Sequence, residues 1–311
     1  MSQGSSHDVE ALRAKHYNAT ISYLERPHDD LMIMRVVPDF PIPDHKPGQY
    51  TTLGLGYWEK PAPGLTVPAA ADPLRLLRRS YSISHPLVDA QGELYPPGQP
   101  PGLEFYLVLV RNASSGHAGE LTARLVTLKV GDRLHMGERI TGHYTTAAAR
   151  PTDTMLFLST GTGEAPHNYM IWDLVRRGHQ GLIVAVCCVR YRRDLAYLAT
   201  YQRLMAKHPN VHYLPLTTRD IDPQQPKRYI QDLISDGELE RRVGIQLDPS
   251  QTHVYLCGNP AMIGVPLIDR ATRVKTYPTP RGVCEVLEQR GFVADYASLK
   301  IKGNIHFEEY W

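Results

Sequence analysis

Gly161-Thr162-Gly163-Glu164-Ala165-Pro166 follows directly on the apolar run Met155–Ser159. Glycines at a strand-to-helix turn let the backbone approach a ligand closely. The helix that follows points unpaired N–H groups at that ligand, an arrangement suited to a pyrophosphate. The pattern is neither GxGxxG nor a P-loop. Cys257-Gly258-Asn259-Pro260 has the same kind of position after a later apolar run, with a glycine for the turn and a proline near the start of the next helix. Two such loops opening at one edge of a parallel sheet are stronger evidence than either alone.

Two more clusters lie in the first half. Arg79-Ser80-Tyr81-Ser82-Ile83-Ser84 places an arginine and serines around a tyrosine on one strand, able to bind a phosphate and pack on a flat ring. Gly119-Glu120-Leu121-Thr122 stands at a predicted helix start, where N–H groups and a hydroxyl suit an anion. The chain ends on Phe307-Glu308-Glu309-Tyr310-Trp311, an unusual finish unless the aromatics are docked, either on a ligand or on the protein's own core.

The elements that must position these residues fall into two grammars. Tyr17–Arg26, Leu31–Val37, Gln49–Leu55, Arg79–Ser84 and Leu103–Val110 read as short strands among dense Pro and Gly, the pattern of a barrel or sandwich. One helix is predicted from about Ala118 to Leu128. The Pro/Ala/Gly-rich stretches Tyr57–Asp72 and Tyr95–Gly102 read as surface loops. Composition shifts to Thr, Ala and Pro over Thr145–Asp153, which predicts a boundary between domains at 1–150 and 151–311. Beyond it strands alternate with helices: Thr154–Ser159 and Ala165–Arg177, Leu182–Val189 and Leu195–His208, then Val211–Leu216 with helical segments Tyr229–Ile234 and Glu238–Val243. His253–Cys257 comes next, before a final helical region interrupted by Pro266. This alternation predicts a parallel sheet covered on both faces, with ligands beyond the C-terminal strand ends.

The composition bounds the rest. The 311 residues favour two domains, and 34 basic against 32 acidic residues give a net charge of +2. A near-neutral chain without a recognisable binding motif does not read as a nucleic-acid module. Its longest apolar run, Leu182–Val189, falls well short of the about 20 residues that span a membrane. Met1–Glu10 shows no signal-peptide pattern, so a soluble, cytoplasmic protein is expected. Cys187, Cys188, Cys257 and Cys284 have neither zinc nor iron–sulfur spacing, and no histidine pair forms HExxH, so no metal centre is expected.

Taken together and in this order, these features closely resemble the ferredoxin–NADP reductases, especially the bacterial flavodoxin/ferredoxin reductase branch. The matching pieces include Pro47–Tyr50, Arg79–Ser82, Leu103–Val108, Gly161–Pro166, Arg190–Leu198, Gly237–Glu240, Leu256–Met262 and the terminal Tyr310-Trp311. The resemblance implies an N-terminal antiparallel β-barrel that holds FAD and a C-terminal Rossmann-like domain that holds NADP(H). By the family's pattern, Arg79 pairs with the FAD pyrophosphate, Tyr81 packs on the flavin side and Ser82 bonds near flavin N5. Gly119, Leu121 and Thr122 cradle the FAD phosphates, Gly142 and Tyr144 occupy the next barrel position, and Tyr310 and Trp311 cover flavin or adenine.

On the nucleotide side the resemblance implies that Gly161, Thr162, Gly163 and Pro166 contact the NADP pyrophosphate, with Cys257 and Gly258 near the nicotinamide. Glu309 resembles the acidic residue that plant-type relatives carry near the flavin. With Ser82 and Cys257 it completes the candidate catalytic set. Glu164 departs from an ordinarily apolar family position and is expected to face away from phosphate. Arg190, Thr218 and Arg219 follow successive strands and match the cationic site for the 2′-phosphate; Arg192, Arg193, Lys227 and Arg228 are further candidates. The implied activity is electron transfer between NADP(H) and a one-electron carrier such as ferredoxin or flavodoxin, steered by Arg75 or Arg78. The alternatives are an NAD(P)H-dependent flavin reductase or oxygenase reductase component, and a non-enzymatic flavoprotein.

Overall fold

A computed structural model describes residues 4–68, 72–111, 119–220, 227–269, 271–296 and 299–310, with residues 4–7 by backbone alone. The chain forms two compact units, Met1–His85 with Tyr95–His143, and Pro86–Leu94 with Tyr144–Trp311. The sequence places the boundary a few residues later, at 150/151, and gives no sign that 86–94 joins the second unit.

The first unit contains α1 (Gly4–His16), β1 (Ala19–His28), β2 (Leu31–Pro38), β3 (Tyr50–Gly56), β4 (Leu76–Ser82), β5 (Leu103–Val108), α2 (Thr122–Leu125) and β6 (Arg133–Met136). The strands form one antiparallel sheet in the order β4-β3-β6-β1-β2-β5. Its two edges meet just beyond β4, where Ser84 donates its N–H to the Glu104 carbonyl at 2.8 Å, so the sheet curls into a barrel. Ile21, Met32, Met34, Leu53, Phe105, Leu134 and Met136 fill it. On β4, Leu77 turns inward while Arg78, Arg79 and Ser80 are exposed.

Three features of this unit differ from the sequence reading. Helix α1 was not anticipated because Met1–Glu10 is polar; it is tied down by Arg13, whose guanidinium donates to both carboxylate oxygens of Glu59 at 2.8 and 2.6 Å. Strand β6 is only four residues long, too short for a run-length signal. The predicted helix at 118–128 shrinks to α2, with Ala118 outside the described residues. After Leu125 come two β-branched residues, and the Thr127 hydroxyl donates to the Arg124 carbonyl at 2.7 Å, a local bond that competes with helix continuation.

The second unit contains β7 (Thr154–Thr160), α3 (Glu164–Arg176), β8 (Ile183–Val189), α4 (Leu198–Lys207), β9 (Val211–Thr217), α5 (Ile230–Ser235), α6 (Glu238–Val243), β10 (Thr252–Gly258) and α7 (Pro260–Ile263). It ends with β11 (Leu267–Ile268), β12 (Lys275–Thr276), α8 (Val283–Glu288) and β13 (Ile305–Glu309). The five-stranded sheet has the order β13-β10-β7-β8-β9 and is parallel throughout. In chain order this is 3-2-1-4-5, a doubly wound sheet that reverses between β7 and β10. Ligands in such sheets bind at that reversal, outside the carboxyl ends of the strands. Every residue of β8 is buried, as a run without polar alternation requires of a central strand.

The last part of this unit departs from expectation. The helical region after Cys257 is one turn, α7, stopped at Gly264 with φ +66°. A Cβ there would stand 2.5 Å from the Gly282 Cα, so the two glycines let the chain pass close before the β11–β12 hairpin and α8. The segment before the terminal aromatics was not anticipated as a strand. Ile305–Glu309 extends the sheet beside β10, with Leu256 opposite Phe307 and Gly258 opposite Glu309.

Candidate functional site

The two glycine loops meet at the switch point. Gly161 and Gly163 lie in a tight turn between β7 and α3, and Gly258 closes β10. A Cβ on Gly163 would fall 2.2 Å from the Cys257 carbonyl oxygen, and one on Gly258 (φ +123°) would fall 2.3 Å from the Thr160 hydroxyl. Neither position tolerates a side chain, because the loops pack backbone to backbone. The Thr160 hydroxyl also accepts the Asn259 N–H at 2.7 Å. Asn259 in turn caps α7, its side chain accepting the Ala261 N–H at 2.8 Å ahead of Pro260. Gly161 (φ +53°) has open space where a Cβ would be, so a phosphate can approach that face closely, beside the N-terminus of the 13-residue α3.

The sheet also gathers the three residues expected at a 2′-phosphate. Arg190 and Arg219 extend from the ends of β8 and β9, both exposed. The Arg219 N–H donates to the Arg190 carbonyl at 2.8 Å, and Thr218 donates its N–H to Val189 at 3.0 Å. Asp220 ties the same corner by accepting the Arg192 N–H at 2.7 Å.

At the other side of the switch point, Cys257 is fully buried, and burial pushes its thiol well above the ordinary range. It is therefore a packed, protonated thiol in contact with Tyr310. Tyr310 donates its N–H to the Gly258 carbonyl at 2.9 Å, which fixes the end of β13 over the loop. Glu309 is half-buried, and that burial raises its carboxyl above the usual range. Trp311 lies outside the described residues.

In the first unit β4 and the α2 turn come together. Arg79 donates to the Arg78 carbonyl at 2.9 Å and reaches the Glu120 carboxylate at 3.4 Å. The Tyr81 hydroxyl stands 3.4 Å from the Thr122 hydroxyl. Gly119 and the buried Leu121 lead into α2, with the Gly119 carbonyl accepting the Ala123 N–H at 2.9 Å. Buried Ser82 pairs opposite Tyr50 on β3. Gly142 packs on the same tyrosine, its virtual Cβ 3.3 Å from the ring, and its φ of +128° requires glycine. An exposed guanidinium, two hydroxyls and a glycine-led turn thus share one surface.

Comparisons with known proteins agree with this geometry. The model of the oxidoreductase NAD-binding domain matches residues 157–265, from β7 to just beyond α7. The flavodoxin/ferredoxin–NADP reductase of Escherichia coli (strain K12) is 32% identical over 167 residues, covering 52% of this chain and 64% of that protein. The ferredoxin–NADP reductase of Azotobacter vinelandii is 29% identical over 202 residues, covering 61% of this chain and 69% of that protein. A solved ferredoxin NADP+ reductase from Neisseria gonorrhoeae, with bound FAD and NADP, has the same fold, with a TM-score of 0.68 at 17% identity over 94% of this chain and 97% of that one. The chain is similar to the flavodoxin/ferredoxin–NADP reductases. The match spans just under two thirds, 64%, of the E. coli reductase's own length.

One candidate residue is not where the sequence suggested, and a second faces away from the turn as expected. Tyr144 is not a barrel residue. It falls in the second unit, where its hydroxyl lies 2.7 Å from His167 Nε2 and its ring meets Tyr255 edge-on, so its polar end is already occupied. Glu164 does turn away from the glycine turn, but into the interior: it is 2% exposed and accepts the Tyr213 hydroxyl at 2.8 Å. Thr160 and Asn259, which hold the loops together, were missed. The Asn-Pro step was the available signal for Asn259, whereas the contact to Thr160 is long-range and leaves no local mark.

Proposed function

We propose that this chain is an FAD-dependent oxidoreductase that moves electrons between NADP(H) and a one-electron carrier such as ferredoxin or flavodoxin, with residues 1–150 serving FAD and 151–311 serving NADP(H). The observation that carries this reading is the pair of glycine loops interlocked at the sheet's switch point, with exposed Arg190 and Arg219 together at the neighbouring strand ends. The similarity to flavodoxin/ferredoxin–NADP reductases and the FAD and NADP bound by the gonococcal reductase support it.

The residues present fit both cofactors. Gly161 and Gly163 keep the α3 N-terminus clear for a pyrophosphate, and Arg190, Thr218 and Arg219 supply donors for a 2′-phosphate. Arg79, Thr122 and the Gly119 turn would hold the FAD pyrophosphate, with Tyr81 against the isoalloxazine and Ser82 as its hydrogen-bonding neighbour. When bound, the two cofactors supply hydride transfer between nicotinamide and flavin, and the flavin passes single electrons onward. The chain's own task is to bind, orient and shield them. Cys257, held neutral by burial, offers a compact, uncharged wall at the nicotinamide position, while Tyr310 and Glu309 border it. No general base is needed, and Cys257 as a protonated thiol is suited to packing rather than attack.

The test is the visible spectrum of the purified protein, followed by anaerobic titration with NADPH and separately with NADH. Flavin bands bleached readily by NADPH and poorly by NADH are the expected result. Bleaching by NADH alone would overturn the 2′-phosphate assignment. A colourless protein that cannot be reconstituted with FAD would overturn the whole reading.

A further inference from the structure

Glu164 is the first residue of α3 and follows the glycine turn without a break. Acidic residues in a first helical turn normally sit in water, where they complement the positive end of the helix. This one is 2% exposed. Its Oε1 accepts the Tyr213 hydroxyl from β9 at 2.8 Å, while its Oε2 is buried, with no charged partner and the neutral Cys187 thiol as the carboxyl's other neighbour. The Tyr213 ring stacks on Tyr201 of α4 at 4.1 Å, and the Tyr201 hydroxyl donates to Asn168, one turn further along α3, at 2.8 Å. The carboxyl therefore sits inside a closed polar cluster bounded by α3, α4 and β9, with Cys187 of β8 alongside.

No member of that cluster supplies a positive charge. Tyr213, Tyr201 and Cys187 are all pushed well above their ordinary ranges by burial and by the neighbouring carboxyl, so they remain neutral. Ser159 of β7 is a neutral hydroxyl directed to the Val186 carbonyl. His167, three residues along α3, is lowered by burial to about 3 and is neutral as well. Cys257, under Gly163, is held protonated. An ionised Glu164 would thus be a buried charge served only by two neutral donors, the Tyr213 hydroxyl and the Cys187 thiol, and burial raises its carboxyl to about 7.

We propose that Glu164 makes dinucleotide binding proton-linked: protonated, it leaves the positive end of α3 free for the pyrophosphate; ionised, it cancels that field and repels the ligand. This rests on the reading that the Gly161–Gly163 turn holds the NADP pyrophosphate. Binding then favours the protonated carboxyl, so NADP+ takes up a proton near neutral pH, and by linkage affinity falls as pH rises.

The test is calorimetric titration of the flavin-loaded protein with NADP+ from pH 5.5 to 8.5, in buffers of different ionisation enthalpy, for the wild type, Glu164→Gln and Glu164→Leu. The titration of the 2′-phosphate is common to all three and cancels in the comparison. The wild type is expected to lose about tenfold more affinity than either variant between pH 6 and 8, within the usual range of coupling between sites. It should also take up a larger fraction of a proton on binding near pH 7. If NADP+ binds and the proton count and pH profile of either folded variant match the wild type, the linkage is overturned while the nucleotide site stands. If neither variant folds, a wild-type proton uptake no larger than the 2′-phosphate alone accounts for overturns it equally. Absence of NADP+ binding to the wild type at every pH overturns the nucleotide site itself and the linkage with it.

Discussion

Thr160 and Asn259 clasp the two glycine loops across the switch point of the parallel sheet, the threonine hydroxyl accepting the asparagine N–H at 2.7 Å. The bond closes the gap left by two adjacent strands whose connections leave in different directions. It also explains why Gly258 cannot vary, since a Cβ there would fall 2.3 Å from that hydroxyl. Thr160→Val removes the acceptor of the exposed Asn259 N–H and is expected to cost about 0.5–1.5 kcal/mol and to weaken NADP+ binding by up to about tenfold. Gly258→Ala should abolish NADP+ binding while FAD content stays normal. Calorimetry with NADP+ and the flavin absorbance check both; a Gly258→Ala protein that binds NADP+ normally removes the loop from the site.

Arg190 and Arg219 reach the same corner because neighbouring strands β8 and β9 end together and their backbones are hydrogen-bonded. Two exposed guanidinium groups there fit a phosphate monoester. Arg190→Ala and Arg219→Ala are each expected to raise KM for NADPH by about tenfold, the effect of losing one charge-assisted bond. KM for NADH should stay within about twofold. Steady-state kinetics with a small-molecule acceptor decide it, and an equal effect on the two nucleotides refutes the 2′-phosphate role.

Much of this architecture was legible in the chain. The fully apolar run Leu182–Val189 read as a buried strand of a parallel sheet, and the Gly-rich turns after Ser159 and Cys257 marked the ligand edge of the sheet. What was not legible depended on distant partners. Ile305–Glu309 has no periodicity that separates a docked tail from a fifth strand; its pairing with β10 decides it. Tyr144 looked like a barrel residue by position, yet the hydroxyl contact with His167 lies 23 residues away in sequence. Glu164 stood out against the pattern of the reductases the sequence resembles, but its cluster with Tyr213 and Tyr201 is assembled by three separate elements. Local pattern reveals which way a strand must face, not which buried polar groups will meet.

Arg75 and Arg78 lie at and just before the exposed face of β4, both in water. An acidic electron carrier would be steered by such charges, with a rate that falls as salt screens them. Charge reversal at both positions (Arg75→Glu with Arg78→Glu) is expected to slow reduction of ferredoxin or flavodoxin at least about tenfold at low ionic strength and to flatten its salt dependence. Reduction of ferricyanide should be unchanged. Carrier kinetics that stay as they were, at the same low salt, place the docking surface elsewhere.

His167 and Glu164, on the same helix, oppose one another in their effect on stability with pH. Burial lowers His167 to about 3, so the folded protein holds this imidazole neutral, with its Nε2 2.7 Å from the Tyr144 hydroxyl. The unfolded chain binds a proton there once the pH drops below about 6.5. Between those values the unfolded state carries more protons, so stability rises with pH, by at most about 1.4 kcal/mol per unit for one group. Glu164 is raised to about 7 by burial, so its contribution is present below the ordinary carboxylate range and is lost as pH rises through about 7. Urea unfolding from pH 4.5 to 7.5 is expected to show a shallower acid slope in His167→Phe than in the wild type, and a steeper one in Glu164→Gln. Identical slopes in all three proteins would show that neither group changes its protonation on folding, and that the polar cluster beneath the glycine turn is solvated rather than buried.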